Sequence, residues 1–449
     1  MHRLRLLSST SSFLRSSILR SVLNTRRRLF SSSLSPTPTP LPPLPLLGSL
    51  QKNIDTLPLH NFSPGPTSLP KPVMKRIADE LQSSVAAGNV SPMELSHRSP
   101  EFIQIKDNAE ASLRRLFDLN HDDFEILFMH GGGHGQFAAV PLNLSIDENS
   151  TAHYFVTGTW SHRASSEGSK YCQITTKGRA EGWWEPTFLL PEDVPTPETT
   201  GLGATKRPSY AYLCSNETVN GIEYFDLPDL SHLQVPLVID MSSDMGTKVI
   251  DFNKVDVAFA CAPKNLGIPG LTIVIARKEL LRKRQARSIT PGVLDWNLNA
   301  KNDCLWNTPA TFNIYVTGLV AEWMEREGGI HEMEQRNIAK ATLFYDTLDT
   351  SNEFWITPWK EIDDEYVTGS YVGTRRSRMN IPFKIAMDES GELTNKFIEG
   401  AFERNIVGLR TMTPFGWGEY LRASLYNSVT LHDVEVLVAW MKEFQGRYT

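Results

Sequence analysis

The stretch from Val238 to Gly267, VIDMSSDMGTKVIDFNKVDVAFACAPKNLG, decides how the rest of the chain is read. Two apolar runs, Pro236 to Ile239 and Val255 to Ala262, have the β-branched density and polar flanks of buried strands. The first leads into Asp240 and the second into Lys264. A carboxylate at one strand end and an amine at the next suit pyridoxal 5'-phosphate (PLP). The lysine forms a Schiff base with it, and the aspartate keeps the pyridine nitrogen protonated as an electron sink. On this reading Lys264 and Asp240 are the catalytic pair. A strand-end Asp is commonly a turn residue and a strand-end Lys is commonly solvated, so the pair needs support from the chain around it.

Support comes from the residues at the end of each neighbouring strand. Phe124 to Met129 reads as a strand, followed by His130-Gly131-Gly132-Gly133-His134-Gly135-Gln136-Phe137 and then a helical run. Strand, glycines, helix is the order that lets backbone N–H groups approach a phosphate. A G-x-x-x-x-G-K pattern is missing, so this is not a nucleoside-triphosphate loop. Tyr154 to Thr157 leads into Gly158-Thr159-Trp160-Ser161, where Trp160 either stacks on a planar ring or belongs to the core. Tyr210 to Cys214 ends in Ser215-Asn216-Glu217-Thr218, and Leu271 to Ala276 is a further strand. Polar and aromatic groups recurring after strands mark the crevice at the carboxyl edge of an α/β sheet.

The flanks are organised differently. Asn61 to Pro70, NFSPGPTSLP, is a turn-rich entry to a helix over Lys71 to Ala86. His97-Arg98 then lies in a polar loop before a helix over Glu101 to Leu116; such a pair clamps an anion or is simply a surface pair. After Ile289, Trp306-Asn307-Thr308-Pro309 precedes long helices over Phe312 to Arg326 and Glu332 to Leu348, broken at Gly328-Gly329. Phe354 to Ile385 alternates as strands, Thr394 to Asn405 is helical, and Leu421 to Tyr426 is a last strand carrying Arg422. Thr430 and Asp433 cap a final amphipathic helix. This C-terminal stretch reads as a smaller α+β domain.

The chain has 449 residues, 40% hydrophobic and 10% aromatic, enough for a large core in two domains. The formal charge of -6 gives no reason to expect a nucleic-acid partner, and no run is long enough for a membrane span. That charge conceals an asymmetry. Residues 1–50 hold seven Arg and neither Lys nor acid, leaving 38 basic against 51 acidic residues beyond them, a net of -13. Arg, Ser and Leu with Leu14, Ile18 and Val22 on one helical stripe describe an organelle presequence, mitochondrial or, as the alternative, plastid. Arg28-Leu29-Phe30-Ser31 resembles a processing site, which places a targeting segment over 1–31 and a Pro-rich linker over 32–60. A large domain over 61–325 and a small one over 326–449 complete the chain. Cys172, Cys214, Cys261 and Cys304 are too scattered for a zinc site or a disulfide framework, and no metal is expected.

In order and spacing, NFSPGP, ELSHRS, GGGHGQFAAVPLN, TGTWS, SNETVNGIE, DMSSD, APKNLG, WNTPATF and RASLYNSVT resemble the phosphoserine aminotransferases, class-V PLP enzymes of fold type I. The resemblance covers residues 61–449. It implies an α/β fold with a large domain built on a mainly parallel, seven-stranded sheet, and a smaller C-terminal α+β domain. It implies that Lys264 is the Schiff-base lysine and Asp240 the pyridine partner. Trp160 would stack on the ring and Thr218 would bond near its phenolic oxygen. Backbone at Gly133 and His134 would hold the cofactor phosphate, with Asn307 and Thr308 supplied by the other subunit of a homodimer with shared active sites. Arg422 would take the substrate α-carboxylate, and His97 and Arg98 part of the distal anion. The reaction implied passes the amino group of glutamate to a 2-oxo acid, 3-phosphohydroxypyruvate, and the presequence, not the resemblance, places it in the mitochondrial matrix or, as the alternative, a plastid.

Two departures from the family pattern stand out. Pro263 replaces the Gln that usually precedes the lysine, which removes a donor. The family's G-H-R-x-V-G-G-x-R-A-S becomes Pro414 to Ser424, PFGWGEYLRAS, so its His-Arg pair falls on Phe415 and Gly416. Losing a charge-assisted bond to a dianion costs about 1.5 to 3 kcal/mol, roughly ten- to a hundredfold in affinity. The alternative is therefore a related transaminase for a less charged or non-phosphorylated 2-oxo acid. PLP lyases that use a mobile-loop cysteine fit less well, since the stretch from Val407 to Tyr420 contains no Cys. A non-enzymatic descendant of the fold would be expected to lose Asp240 or Lys264, and both are present.

Overall fold

A computed structural model describes residues 58–177, 207–227, 230, 233–358, 374–409 and 420–449. The presequence, almost all of the linker, and the loop with Arg410, Phe415 and Gly416 lie outside the described residues.

The chain enters through β1 (His60–Asn61), α1 (Lys71–Ala87) and α2 (Pro100–Leu116). Ser99 starts α2 by accepting the Phe102 N–H at 3.2 Å, which satisfies one of the orphan donors of a helix start. Strands and helices then alternate through β2 (Phe124–Met129), α3 (Gly132–Leu144), β3 (Thr151–Phe155), α4 (Thr159–Gly168) and β4 (Gln173–Lys177). Next come β5 (Ala211–Cys214), β6 (Asn216–Glu217), β7 (Ile222–Tyr224), β8 (Leu237–Asp240), β9 (Val257–Cys261) and β10 (Thr272–Arg277).

Seven of these strands form one sheet in the order β2-β10-β9-β8-β5-β3-β4. Runs such as FEILFM, LVID and TIVIAR are buried almost throughout, as a sheet covered on both faces requires. Pairing is parallel from β9 to β4, and β10 alone runs antiparallel to both of its neighbours, β9 and β2. The reason is connection length. Only residues 262–271 separate β9 from β10, a turn rather than the helical crossover a parallel neighbour needs. The sheet is mainly parallel, as the sequence suggested, and the carboxyl ends of β8 and β9 open on the same edge.

The chain continues with α5 (Lys278–Lys283), α6 (Trp296–Lys301), α7 (Thr311–Arg326) and α8 (Gly329–Asp349). It ends through β11 (Trp355–Ile356), β12 (Thr374–Arg376), β13 (Asn380–Ile385), α9 (Glu392–Glu403), β14 (Ile406–Val407), β15 (Leu421–Ser424) and α10 (Leu431–Tyr448). The alternating stretch from Phe354 to Ile385 does not make one sheet. β11 and β13 join β15, whereas β12 pairs with β7, about 150 residues upstream. Alternation specifies which side chains face inward but not which strand lies alongside, so this pairing was not legible. The cap on α10 is as expected: Thr430 N–H donates to Asp433 Oδ2 at 2.7 Å, and Asp433 N–H donates to Thr430 Oγ1 at 3.2 Å.

Two apolar cores result. One lies between the large sheet and α2, α3 and α7, with Phe102, Leu127, Phe137, Val238, Phe259 and Val316 fully buried. The other joins Phe62 to Phe344, Trp355, Phe383, Phe397 and Trp440 around β13, β15 and α10. Cys172, Cys214 and Cys304 are buried, Cys261 is half-buried, and all four are free. Among the described residues no helix is long and apolar enough to cross a membrane.

Candidate active site

Asp240 closes β8, and Lys264 lies three residues beyond the end of the parallel neighbour β9. The Asp240 carboxylate is 4% exposed. Its Oδ1 accepts the Ser242 N–H at 2.9 Å and its Oδ2 the Tyr212 hydroxyl at 3.4 Å. Burial pushes its pKa up to about 6; the bonds from Ser242 oppose this, and the nearby Asp244 adds to it. Among the described residues no cation pairs with it, so a positive group placed there would be stabilised.

The Lys264 ammonium donates to the carbonyl of Pro64 in the entry segment and lies 5.8 Å from the centre of the Tyr426 ring. Gly65, with φ +125°, packs against its stem, and a Cβ there would lie 2.7 Å from both Cδ and Cε of the lysine. The conformation and the close approach both call for glycine. Pro263 contributes its carbonyl, which accepts the Thr67 N–H at 3.1 Å and ties the lysine loop to the same segment.

The glycine run departs from expectation in one respect. It is not a loop ahead of the helix but the helix start itself. Gly131 takes the N-cap with φ 95°, and Gly135 N–H already donates to Gly131 O at 3.0 Å. The amides of Gly132, Gly133 and His134 therefore have no carbonyl within the helix and are left as donors at the positive end of its dipole, where an anion is favoured. Gly133 abuts Ser242, which would sit 3.8 Å from a Cβ at this glycine, so the amides lie close to Asp240's own turn.

Trp160 occupies the first turn of α4, beside His134 at 5.9 Å between ring centres and nearly edge-on. Its amide donates to Glu217 Oε2 at 2.7 Å. Glu217 also receives the Ser161 amide at 2.9 Å and the Ser161 hydroxyl at 2.5 Å. A buried carboxylate thus caps α4 from another strand end, and Asn220 does the same for Thr159 through two bonds of 2.9 and 3.0 Å. Burial raises the Glu217 pKa while the Ser161 and Trp160 donors lower it. The indole Nε1 of Trp160 is buried and has no partner among the described residues.

Thr218, next to Glu217, offers its backbone carbonyl to Arg422 Nη1 at 3.0 Å. Arg422 is 8% exposed, set opposite Pro382 in the β13–β15 ladder. Burial pulls its pKa down to about 10, and its Nε is a second buried donor without a partner among the described residues.

One edge of the large sheet thus gathers Asp240, Lys264, Gly133, His134, Trp160 and Thr218, with Arg422 reaching in from β15. Asn307 joins them at the margin, its Nδ2 lying 3.4 Å from His130 Nε2 beside the glycine run, with Thr308 exposed. His97 is half-buried and Arg98 exposed in the turn before α2, and no described hydrogen bond or ion pair links either to this group. Glu217 and the Pro64 carbonyl are parts of the site that sequence reasoning left unassigned. A polar strand end hinted at the first, but a backbone acceptor leaves no residue-type signal.

A family model described as Aminotransferase class-V matches residues 59–437. The chain is 39% identical over 389 residues to a phosphoserine aminotransferase of Burkholderia multivorans, spanning 87% of this chain and 99% of that protein. It is 40% identical over 392 residues to the phosphoserine aminotransferase of Pseudoalteromonas translucida, spanning 86% and 98%. Among solved structures, the phosphoserine aminotransferase from Bacillus circulans subsp. alkalophilus superposes with a TM-score of 0.74 at 31% identity, over 87% of this chain and 99% of that one. A PLP-bound phosphoserine aminotransferase from Trichomonas vaginalis gives 0.72 at 32% identity, over 86% and 100%.

Proposed function

The chain belongs to the class-V aminotransferases, PLP-dependent enzymes of fold type I, and from that premise we propose that it moves the amino group of glutamate to 3-phosphohydroxypyruvate. The products are phosphoserine and 2-oxoglutarate, a step of serine biosynthesis. What carries the reading is the match, over almost the full length of relatives named phosphoserine aminotransferase, of a chain whose sheet edge assembles Asp240, Lys264 and Trp160.

The residues fit the cofactor. Asp240 is a buried carboxylate with no cation beside it among the described residues, suited to a protonated ring nitrogen, and burial raises its pKa. The free amides of Gly133 and His134 suit a phosphate, and the Trp160 indole suits a ring face. When bound, PLP supplies an electron sink that acidifies the Cα proton of an attached amino acid. The chain's own contributions are then separable. Within each half-reaction Lys264 Nζ would carry the proton between Cα and the cofactor carbon, away from Cα with the amino donor and toward it with the oxo acid. Arg422, with Nε still to be paired, receives the substrate carboxylate, and the Thr218 carbonyl holds it in place. Arg98 would supply positive charge and His97 a hydrogen-bond donor for the distal group.

We extend the proposal to assembly and location. Thr308 is exposed and Asn307 is only partly buried, which suits a homodimer in which these two serve the neighbouring site. The acid-free, Arg-rich residues 1–31 support import into the mitochondrial matrix, with a plastid as the alternative. The two apolar cores support a large and a small domain divided near residue 325, although Phe62 packs in the C-terminal core and Met333 in the large one.

The deciding experiment follows the visible band of the cofactor-loaded enzyme on adding phosphoserine, glutamate or unphosphorylated serine separately. Phosphoserine converting the cofactor at least as efficiently as serine is the expected result. Reaction with glutamate but not phosphoserine would move the substrate to the less charged oxo acid that Phe415 and Gly416 allow. A band that survives Lys264→Ala would end the assignment of that lysine.

A further inference from the structure

We propose that Tyr426 is a positioning residue for Lys264, acting through the backbone carbonyl of Pro64. The inference rests on the reading of Lys264 as the amine that moves the substrate proton. The Pro64 oxygen accepts the Tyr426 hydroxyl at 3.0 Å and also accepts Lys264 Nζ. A carbonyl oxygen has two lone pairs, and these two donors use both.

The direction of the tyrosine hydrogen bond is fixed from behind. Asn380 Nδ2 donates to the Tyr426 hydroxyl at 3.2 Å and to Ser424 Oγ at 3.0 Å. Its Oδ1 is engaged by Asn216 Nδ2 at 2.8 Å, so the amide cannot turn over without losing that bond. Accepting a hydrogen bond from Asn380, the tyrosine oxygen has its own O–H left to donate to the Pro64 carbonyl. The ring is fully buried, and the backbone around it is clamped by buried Lys340, which donates to the carbonyls of Leu425, Tyr426 and Val429 at 2.8, 2.9 and 2.9 Å. Tyr426 is therefore held by burial and by bonds on both sides, and it fixes the position of the acceptor in turn. A lysine on a flexible four-carbon stem, released whenever substrate takes its place, has one defined acceptor to return to. Holding a proton-transfer group at one point is worth more to rate than to substrate affinity.

Tyr426→Phe keeps the ring and removes only the hydroxyl. In the loaded enzyme kcat should fall about tenfold, the scale of one lost hydrogen bond, with KM for both substrates within about twofold. Deuterium at the substrate Cα should slow the variant more than the parent enzyme. In cofactor-free protein, acetylation of Lys264 by an N-hydroxysuccinimide ester, read by peptide mass spectrometry against exposed Lys301, should become severalfold faster. Ser424→Ala leaves the Tyr426 bond in place and should alter neither quantity. Unchanged kcat overturns the proposal, as does unchanged labelling, as does an equal effect of Ser424→Ala. If Tyr426→Phe does not fold, Asn380→Ser, which removes the donor behind the hydroxyl, is read in the same way. Activity of the parent enzyme and the fate of its band in Lys264→Ala test the lysine assignment separately, and the labelling comparison needs no substrate.

Discussion

Arg422 and Thr218 meet through a single hydrogen bond, Nη1 to an uncharged backbone carbonyl at 3.0 Å, which leaves a buried guanidinium without an acid among the described residues. At a pKa of about 10 it remains charged at neutral pH despite its burial. A carboxylate arriving from the crevice can use the remaining donors of the fork, which a lysine cannot imitate. Arg422→Lys should lower kcat/KM for both the amino donor and the oxo acid by about a hundredfold, near 3 kcal/mol, chiefly through KM. Steady-state kinetics with each substrate varied in turn checks this. An effect on one substrate alone would mean that the two carboxylates bind at different places.

Asp240 makes the cofactor-free protein less stable than it could be. Its ordinary pKa of 3.8 rises to about 6 in the fold, so the folded state binds the proton more tightly than the unfolded chain. Stability therefore declines as pH rises from about 4 to about 6, and above that window the full cost, on the order of 3 kcal/mol, is present. Asp240→Asn should unfold at higher denaturant than the parent at pH 7.5, when both are free of cofactor, and differ little at pH 4. Added PLP should stabilise the parent more than the variant, because only the carboxylate gains a cationic partner. Urea midpoints at the two pH values, with and without cofactor, measure all four states.

Gly65 leaves no room for a side chain against the lysine. A Cβ would press on Cδ and Cε of Lys264 at 2.7 Å, and φ +125° is itself unfavourable for an L-residue. The lysine end is flexible and can be pushed aside, so the backbone strain at φ +125° carries the cost, about 1 to 3 kcal/mol, and the displaced amine carries the functional effect. Gly65→Ala should weaken PLP retention and reduce the visible band, measured as cofactor content after gel filtration. Retention equal to the parent would mean that the entry segment yields at this point.

These positions also mark how far the sequence could be read. β2 is found at the residues its apolar run indicated, and β8, β9 and β10 within two residues, because strands buried on both faces write their burial directly into composition. Asp240 and Lys264 were legible because a carboxylate and an amine at adjacent strand ends are chemically unusual. The Pro64 carbonyl was not, since any residue type supplies the same oxygen. Tyr426 looked like one more aromatic in a strand, and its role depends on Asn380 and Pro64, 46 and 362 residues away. Long-range pairing of this kind, like that of β12 with β7, leaves no periodic trace in either partner.

Glu217 occupies a position where the structure asks for one particular side chain. Both carboxylate oxygens accept, Oε2 from the Trp160 amide and Oε1 from the Ser161 amide and hydroxyl, so each of these hydrogen-bond partners is a donor. Glu217→Gln replaces one oxygen with an NH₂ that must face one of those donors. The site is 1% exposed, so water offers no alternative partner, and the misplaced amide should cost about 2 to 3 kcal/mol of stability. The start of α4 would shift and carry the Trp160 ring with it. PLP affinity should fall about tenfold, with a changed circular-dichroism band of the bound cofactor, since its asymmetry reports the ring's surroundings. Glu217→Asp retains the acceptors on a shorter stem and should recover part of both losses. A variant that loses stability but binds PLP with unchanged affinity and dichroism would confine Glu217 to capping the helix.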